Sequence, residues 1–224
     1  EGPGGGMGRG LSLSFDLDGT LTDLAFVDGV WNEGLPALVA DSFGIGREEA
    51  VRLCMDAYRS EGDASIKWYQ LHHWLDHFGL GHVDGEDLIS GFIPRIRAFD
   101  DGLRAVRSLR DLGYPLVLFS NAPRQFLDKE VEHCGLEAFF DRTISLPDDW
   151  GTVKSHADAF VRLSELMGTR VVHVGDHVRF DYEVPRSAGL LAYHLWRGRG
   201  PRLEDSLTSL DHFVDRIVRA QSQS

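Results

Sequence analysis

A chain of 224 residues, 42% hydrophobic and 26% charged, holds one substantial core or a core with an insert, and is neither disordered nor two full-sized domains. Its 23 basic against 35 acidic residues leave a net charge of −12, which argues against binding a nucleic-acid polymer. No apolar run nears the roughly 20 residues that span a bilayer, no signal-like segment opens the chain, and Cys54 and Cys134 are its only cysteines, so the expectation is a cytoplasmic protein with no membrane partner, disulfide framework or Cys-rich zinc site.

Residues 1–10 contain six glycines and one proline and are expected to form a flexible tail outside the fold. They give no G-x-G-x-x-G register after a strand, so no dinucleotide site starts there. Leu11–Phe15 is the first short apolar run and is expected to be a buried strand. Residues 23–97 then show no strand signal. Their helical stretches are about Leu35–Phe43, Arg47–Arg59, Ser65–Phe78 and Asp84–Arg97, with hinges expected near Leu21–Phe26 and Ile96–Asp101. Beyond them, Asp101–Leu112 places Leu103, Val106, Leu109 and Leu112 at helical spacing and stops at Gly113. Strand-like runs follow at Pro115–Phe119, Thr143–Leu146, Val171–Val174 and Leu190–Leu195, with helical stretches at Gln125–His133 and His156–Met167 between them. This alternation predicts an α/β fold: a doubly wound, Rossmann-like parallel sheet built from 11–22 and 98–224, interrupted by a helical domain at 23–97.

Ligands of such sheets bind at the carboxyl ends of the strands. There the sequence reads Asp16-Leu17-Asp18-Gly19-Thr20 after the first run and Ser120-Asn121 after the second. Gly175-Asp176 follows a later run, with Asp181 five residues on, and Lys154 lies between the third and fourth. Extended backbone alternates with period two, so Asp16 and Asp18 face one side and Leu17 the other. One carboxylate can attack phosphorus, and its neighbour can protonate a leaving oxygen and then deprotonate water. Like charges this close repel, so one should titrate high, as an acid requires. A cluster of hard oxygens suits Mg²⁺. The structural alternatives are helix caps for Asp18, Thr20 or Asp181, a simple turn at Ser120-Asn121, and a surface position for Lys154.

Phe15-Asp16-Leu17-Asp18-Gly19-Thr20-Leu21-Thr22-Asp23 resembles the first signature of the haloacid dehalogenase-like superfamily. Ser120-Asn121, Lys154 and Gly175-Asp176…Asp181 resemble its second, third and fourth signatures, in order. The resemblance covers about residues 11–196, and the insert is similar to the family's helical C1 cap. It implies a nucleophile at Asp16 and an acid–base at Asp18. It also implies phosphate contacts from Thr20, Ser120, Asn121 and Lys154, and Mg²⁺ held by the Asp16 carboxylate, the Asp18 carbonyl and the Asp176 carboxylate. Asp181 either joins the ligands, stands just behind them or pairs with Lys154. Ser155 stands where the family usually has proline, and Val184-Pro185 replace small residues of the fourth signature. Asp18 resembles the phosphatase branch, because halide release needs no acid; a phosphonate-cleaving relative would use a cap lysine, here only Lys67. The implied partner is a small phosphorylated metabolite, and the implied assembly a monomer or homodimer. A non-enzymatic binding protein for a phosphorylated ligand on the same scaffold is the alternative. A phospho-aspartate receiver domain fails, because its acidic nucleophile follows a middle strand and it has no helical insert.

Three other features favour ordinary roles. His73 and His77 lie one helical turn apart but lack a third zinc ligand. Trp31, Trp68, Tyr69 and Trp74 fit the core of the helical insert better than a pocket wall. Arg197, Arg199 and Arg202 read as a solvated loop.

Overall fold

Five short, apolar segments meet edge to edge in a computed structural model that describes residues 10–222. The expected tail at 1–10, apart from Gly10, lies outside the described residues. The strands are β1 (Leu11–Phe15), β2 (Leu116–Ser120), β3 (Arg142–Ser145), β4 (Arg170–Gly175) and β5 (Leu191–His194). All pair in parallel, in the order β3-β2-β1-β4-β5. Each strand lies within one or two residues of its expected run. The reason is burial on both faces: β2 is buried at every position, which demands continuous apolar sequence.

The strand order decides where a site can form. β1 is central, with Phe15 level with Leu118 of β2 and with Val174 of β4. The chain leaves β1 toward β2 and β3, then returns across the sheet to β4 and β5. The switch point therefore lies at the carboxyl end of β1, between β2 and β4.

The helices α1 (Ala25–Gly29), α2 (Leu35–Phe43), α3 (Arg47–Glu61), α4 (Leu71–His77) and α5 (Gly85–Ser90) fill the interval between β1 and the next core helix. The chain leaves and re-enters the sheet layer along adjacent paths: Asp23 N donates to Arg97 O at 2.9 Å and Phe99 N to Leu21 O at 2.8 Å. The expected single helix at Ser65–Phe78 is a 3₁₀ turn at Ile66–Tyr69 followed by α4, broken at the extended Gln70. A π-type turn at Val30–Gly34 joins α1 to α2, which the apolar spacing did not reveal. Trp74 is the large side chain at the centre of this block, 1% exposed. Trp31 stacks on Phe126 with ring centres 5.5 Å apart and fixes the block to the core.

The helices α6 (Asp100–Asp111), α7 (Arg124–His133), α8 (Ala157–Met167), α9 (Val184–Ser187) and α10 (Leu210–Gln221) complete the core. α10 was absent from the sequence expectation. Its Leu210, Phe213 and Ile217 are buried, and Phe213 meets Phe15 edge-on at 5.4 Å, so the helix seals one face of the central strand. Burying each such side chain is worth about 1.5–3 kcal/mol. Both cysteines are free thiols. No helix among the described residues is long and apolar enough to cross a membrane.

Candidate active site

Asp16 leaves β1 directly into the switch point, with its backbone N–H bonded to Val174 O at 3.0 Å. Leu17 turns into the core at 0% exposure, while Asp16 and Asp18 both line the cavity above the sheet. The two-residue alternation therefore holds. Gly19 lets the chain turn back with φ at +77°, and a Cβ there would fall 2.2 Å from Asp176 Oδ2. Gly175 gives the same clearance on β4, where a Cβ would lie 2.3 Å from Asp181 Cγ. Both glycines allow carboxylates to crowd together.

Lys154 is the cation among them. It is 2% exposed, and its Nζ donates to Asp16 Oδ1 at 2.6 Å and to Asp181 Oδ1 at 2.7 Å. Burial works against its charge, but the two carboxylates raise its pKa well above the ordinary lysine value. Ser155 leaves Lys154 in this place despite the missing proline. Asp181 is used from every side: His173 Nε2 lies 2.9 Å from Oδ1, and the His177 backbone N–H donates to Oδ2 at 3.1 Å. Although burial pushes the other way, Lys154 and His173 hold Asp181 well below the ordinary carboxylate range. Burial keeps His173 neutral, so its Nε2–H donates to Asp181 and Ser14 donates to its Nδ1 at 2.8 Å. Of the readings left open for Asp181, this geometry favours pairing with Lys154.

The other carboxylates titrate high. Burial, then repulsion from Asp181, raises Asp16 to about 6 despite Lys154. Burial and repulsion from Asp16 raise Asp18 to about 7. Burial and the same neighbours push Asp176 well up. This is an excess of negative charge that calls for a cation. Ligand oxygens of Asp16, Asp176 and Asp181 lie within 4.8 Å of one another, the only such metal-compatible group among the described residues. All are hard oxygen donors, so the residues fit a divalent cation of the Mg²⁺ type.

The second-signature residues sit opposite. Ser120 Oγ accepts from Ala122 N at 3.0 Å, which leaves its proton to donate. Asn121 Oδ1 accepts from Lys154 N at 2.9 Å, and its amide donates to Tyr69 at 3.0 Å. Thr20 is fully buried, donates to Asp16 Oδ2 at 3.3 Å and is absent from the cavity wall. Asp16, Asp18, Ser120, Asn121, Lys154, Asp176 and Asp181 thus converge, and Thr20 stands behind Asp16.

Besides His173, the site takes in Glu130, Tyr69 and Arg197, which the sequence reading did not assign to it. Glu130 is fully buried behind Asp18 and accepts from Thr22 at 2.8 Å. Its signal was phase: Phe126, Leu127, Glu130 and Val131 form one buried face of α7. Tyr69, expected in the core of the helical insert, instead lines the cavity, because aromatic spacing does not tell core from cavity wall. Arg197 is not a solvated loop residue. It is 14% exposed, pairs with Asp101 at 3.0 Å, donates to Thr20 O at 2.8 Å and covers the Phe99 ring. Of its neighbours, Arg199 is 70% exposed and pairs with Asp28. Among the described residues His73 and His77 gather no third ligand, and Lys67 is exposed and outside the cavity wall.

The family model for haloacid dehalogenase-like hydrolases matches residues 13–189. The chain belongs to that hydrolase family. It is 29% identical over 134 residues to the GMP/IMP nucleotidase YrfG of Escherichia coli K12, a match covering 60% of this chain and 59% of that relative's length. The haloacid dehalogenase-like phosphatase of Thermococcus onnurineus superposes with a TM-score of 0.81 at 21% identity, over 92% of this chain and 97% of that one. The L-2-haloacid dehalogenase of Xanthobacter autotrophicus gives 0.62 at 18% identity, over 93% and 98%. The fold is thus shared by phosphatases and dehalogenases, and site chemistry must separate them.

Proposed function

We propose that this hydrolase is a Mg²⁺-dependent phosphatase acting on a small phosphomonoester metabolite through an aspartyl-phosphate on Asp16. The observation that carries the reading is Asp18. A carboxyl raised to about 7 lines the same cavity as Asp16, and an acid there serves an alkoxide leaving group but not a halide. The names of YrfG and of the Thermococcus structure agree with this choice.

In the first step an Asp16 carboxylate oxygen attacks phosphorus and the bond to the leaving oxygen breaks. Asp18 transfers its proton to that oxygen, and the alcohol departs. In the second step a water oxygen attacks phosphorus while Asp18 takes its proton. The Asp16–phosphorus link breaks, free phosphate forms and Asp18 is again protonated. Lys154, Ser120 and Asn121 would hold the phosphoryl oxygens, with Asp181 and His173 keeping Lys154 in position. Mg²⁺ would be held by the carboxylates of Asp16 and Asp176 and the carbonyl of Asp18; when bound it offsets phosphate charge and polarises the phosphoryl group. The helical block at 23–97 acts in this reading as a cap that excludes bulk water.

Phosphate release from a panel of phosphomonoesters, with Mg²⁺ and with EDTA, tests the proposal beside Asp16→Asn. Metal-dependent release that the variant loses is the expected result. A folded, Mg²⁺-binding protein that releases phosphate from no ester would instead favour a role in binding.

A further inference from the structure

The cavity above the carboxylates has a volume of about 660 Å³ and two unlike sides. Its floor is Asp16, Asp18, Lys154 and Asp176. Its opposite wall is aromatic and comes from the helical insert: Trp31, Tyr58, Trp68 and Tyr69, with Val27 and Met55 between them. Trp74 of the same block is the core residue the sequence led one to expect, at 1% exposed. Trp31 and Trp68 are different: both remain only partly buried and line the cavity. Their rings are also held. Trp31 lies nearly parallel to Phe126, at 18°, and Trp68 meets Tyr58 and Tyr69 edge-on at 6.5 and 5.1 Å. Fixed rings at a cavity wall offer a flat surface at little cost in ordering.

Charge narrows what can face that wall. The insert adds Asp28 and Asp63 to an already acidic cavity. Lys154 is occupied by Asp16 and Asp181, and Arg59, the cation the insert brings to the lining, stands mostly in solvent, 76% exposed, beside Asp56. A leaving group with its own carboxylate finds no buried, uncommitted cation among the lining residues described. A bare sugar would set several hydroxyls against hydrocarbon and ring faces and leave them unpaired. A neutral leaving group with a flat heteroaromatic ring meets both conditions. The ring stacks, and its polar edge and attached hydroxyls can meet Asp28, Asn32 and Asp63 at the margin. The volume lies within the ~300–1,000 Å³ of pockets that enclose a ligand larger than a three-carbon ester.

Building on the phosphatase reading, we infer that the leaving group is a nucleoside. The substrate is a nucleoside 5′-monophosphate, with its base against the Trp31–Trp68 wall and its phosphate at Asp16. Trp68 is the specificity-determining ring, because it stands on the insert and makes no contact with the reacting atoms.

The test is kcat/KM with Mg²⁺ for adenosine, guanosine and uridine 5′-monophosphates, ribose 5-phosphate, phosphoglycolate and acetyl phosphate. It is run on the unaltered protein, Trp68→Ala and Trp68→Phe. The best nucleotide should exceed ribose 5-phosphate by roughly tenfold or more. That ratio should shrink severalfold in Trp68→Ala, chiefly through KM, and largely return in Trp68→Phe. The ratio in the unaltered protein is informative even if Trp68→Ala fails to fold. Ribose 5-phosphate or phosphoglycolate cleaved as well as every nucleotide, or a ratio unmoved in folded Trp68→Ala, overturns the inference and leaves the phosphatase reading standing. Release from no ester, acetyl phosphate included, removes the phosphatase reading and the inference with it.

Discussion

Glu130 is buried behind Asp18, and a proton held on Glu130 bridges the two carboxyl groups. Glu130 Oε2 and Asp18 Oδ1 are both sealed from water and have no other hydrogen-bond partner. Two bare carboxylates could not remain so, and burial beside Asp18 pushes Glu130 well above the ordinary glutamate range. Glu130 is therefore the neutral acid and donates to Asp18, while Thr22 donates to its other oxygen at 2.8 Å. Glu130→Gln keeps a donor of the same shape and should retain activity within severalfold. Glu130→Ala removes the hydrogen bond that steadies Asp18 while it is ionised between the two steps, worth about 1.5–3 kcal/mol, and should lower kcat/KM by roughly tenfold or more. Steady-state kinetics on both variants check this; equal losses would argue against the bridging proton.

Asp16→Asn should abolish turnover, by roughly a thousandfold or more, since an amide oxygen is a poor nucleophile. The fold should survive, because Lys154 keeps Asp181 as its partner at 2.7 Å. Circular dichroism together with phosphate release separates the two effects. Normal turnover would remove the nucleophile assignment.

Metal should invert the pH dependence of stability. Asp16 and Asp18 are raised to about 6 and about 7, above the unfolded value of about 3.9. Their contribution is present below the unfolded pKa and is lost as pH rises through the folded ones. Asp181 is depressed, so its contribution is complete above about pH 4 and adds no slope in this window. With EDTA, Tm should fall between about pH 6.5 and pH 8, above the range in which the buried, neutral His173 pulls the other way. With Mg²⁺, which favours the ionised carboxylates, the fall should flatten or reverse. Thermal melts in the two buffers decide it, and identical profiles would count against a metal at these carboxylates.

Tyr69→Phe should loosen the insert from the site without unfolding either. The hydroxyl donates to Asp63 O at 2.9 Å and accepts from the Asn121 amide at 3.0 Å. A neutral hydrogen bond is worth about 1 kcal/mol, so kcat/KM should fall roughly fivefold. Asn121→Ala in the Tyr69→Phe background should cost less than in the unaltered protein, which a double-mutant cycle measures.

Phe213→Ala should cost about 3–5 kcal/mol of stability, because it opens a cavity against Phe15 beneath the central strand. Urea denaturation gives the value. A loss under 1 kcal/mol would mean that α10 contributes little to the core.

The sequence by itself determined the sheet and the residues at its carboxyl ends. Strands buried on both faces must be continuously apolar, so Leu11–Phe15 and its counterparts stand out, and the polar residues next to each strand end are found within a few positions of it. Asp16, Ser120 and Asp176 were therefore legible from position alone, whereas Lys154, nine residues past the end of β3, was legible through the family resemblance. α10 was legible too, in the spacing of Leu210, Phe213 and Ile217, although the expected elements omit it. Only the tertiary structure decided the rest. Glu130 lies 112 residues from Asp18, Tyr69 lies 52 from Asn121 and Arg197 lies 96 from Asp101. The roles of Trp31 and Trp74 also parted only on folding, since helical spacing shows that a ring faces inward but not whether it meets core or cavity. Burial and long-range pairing depend on which surfaces close over a side chain, and local periodicity carries no record of that.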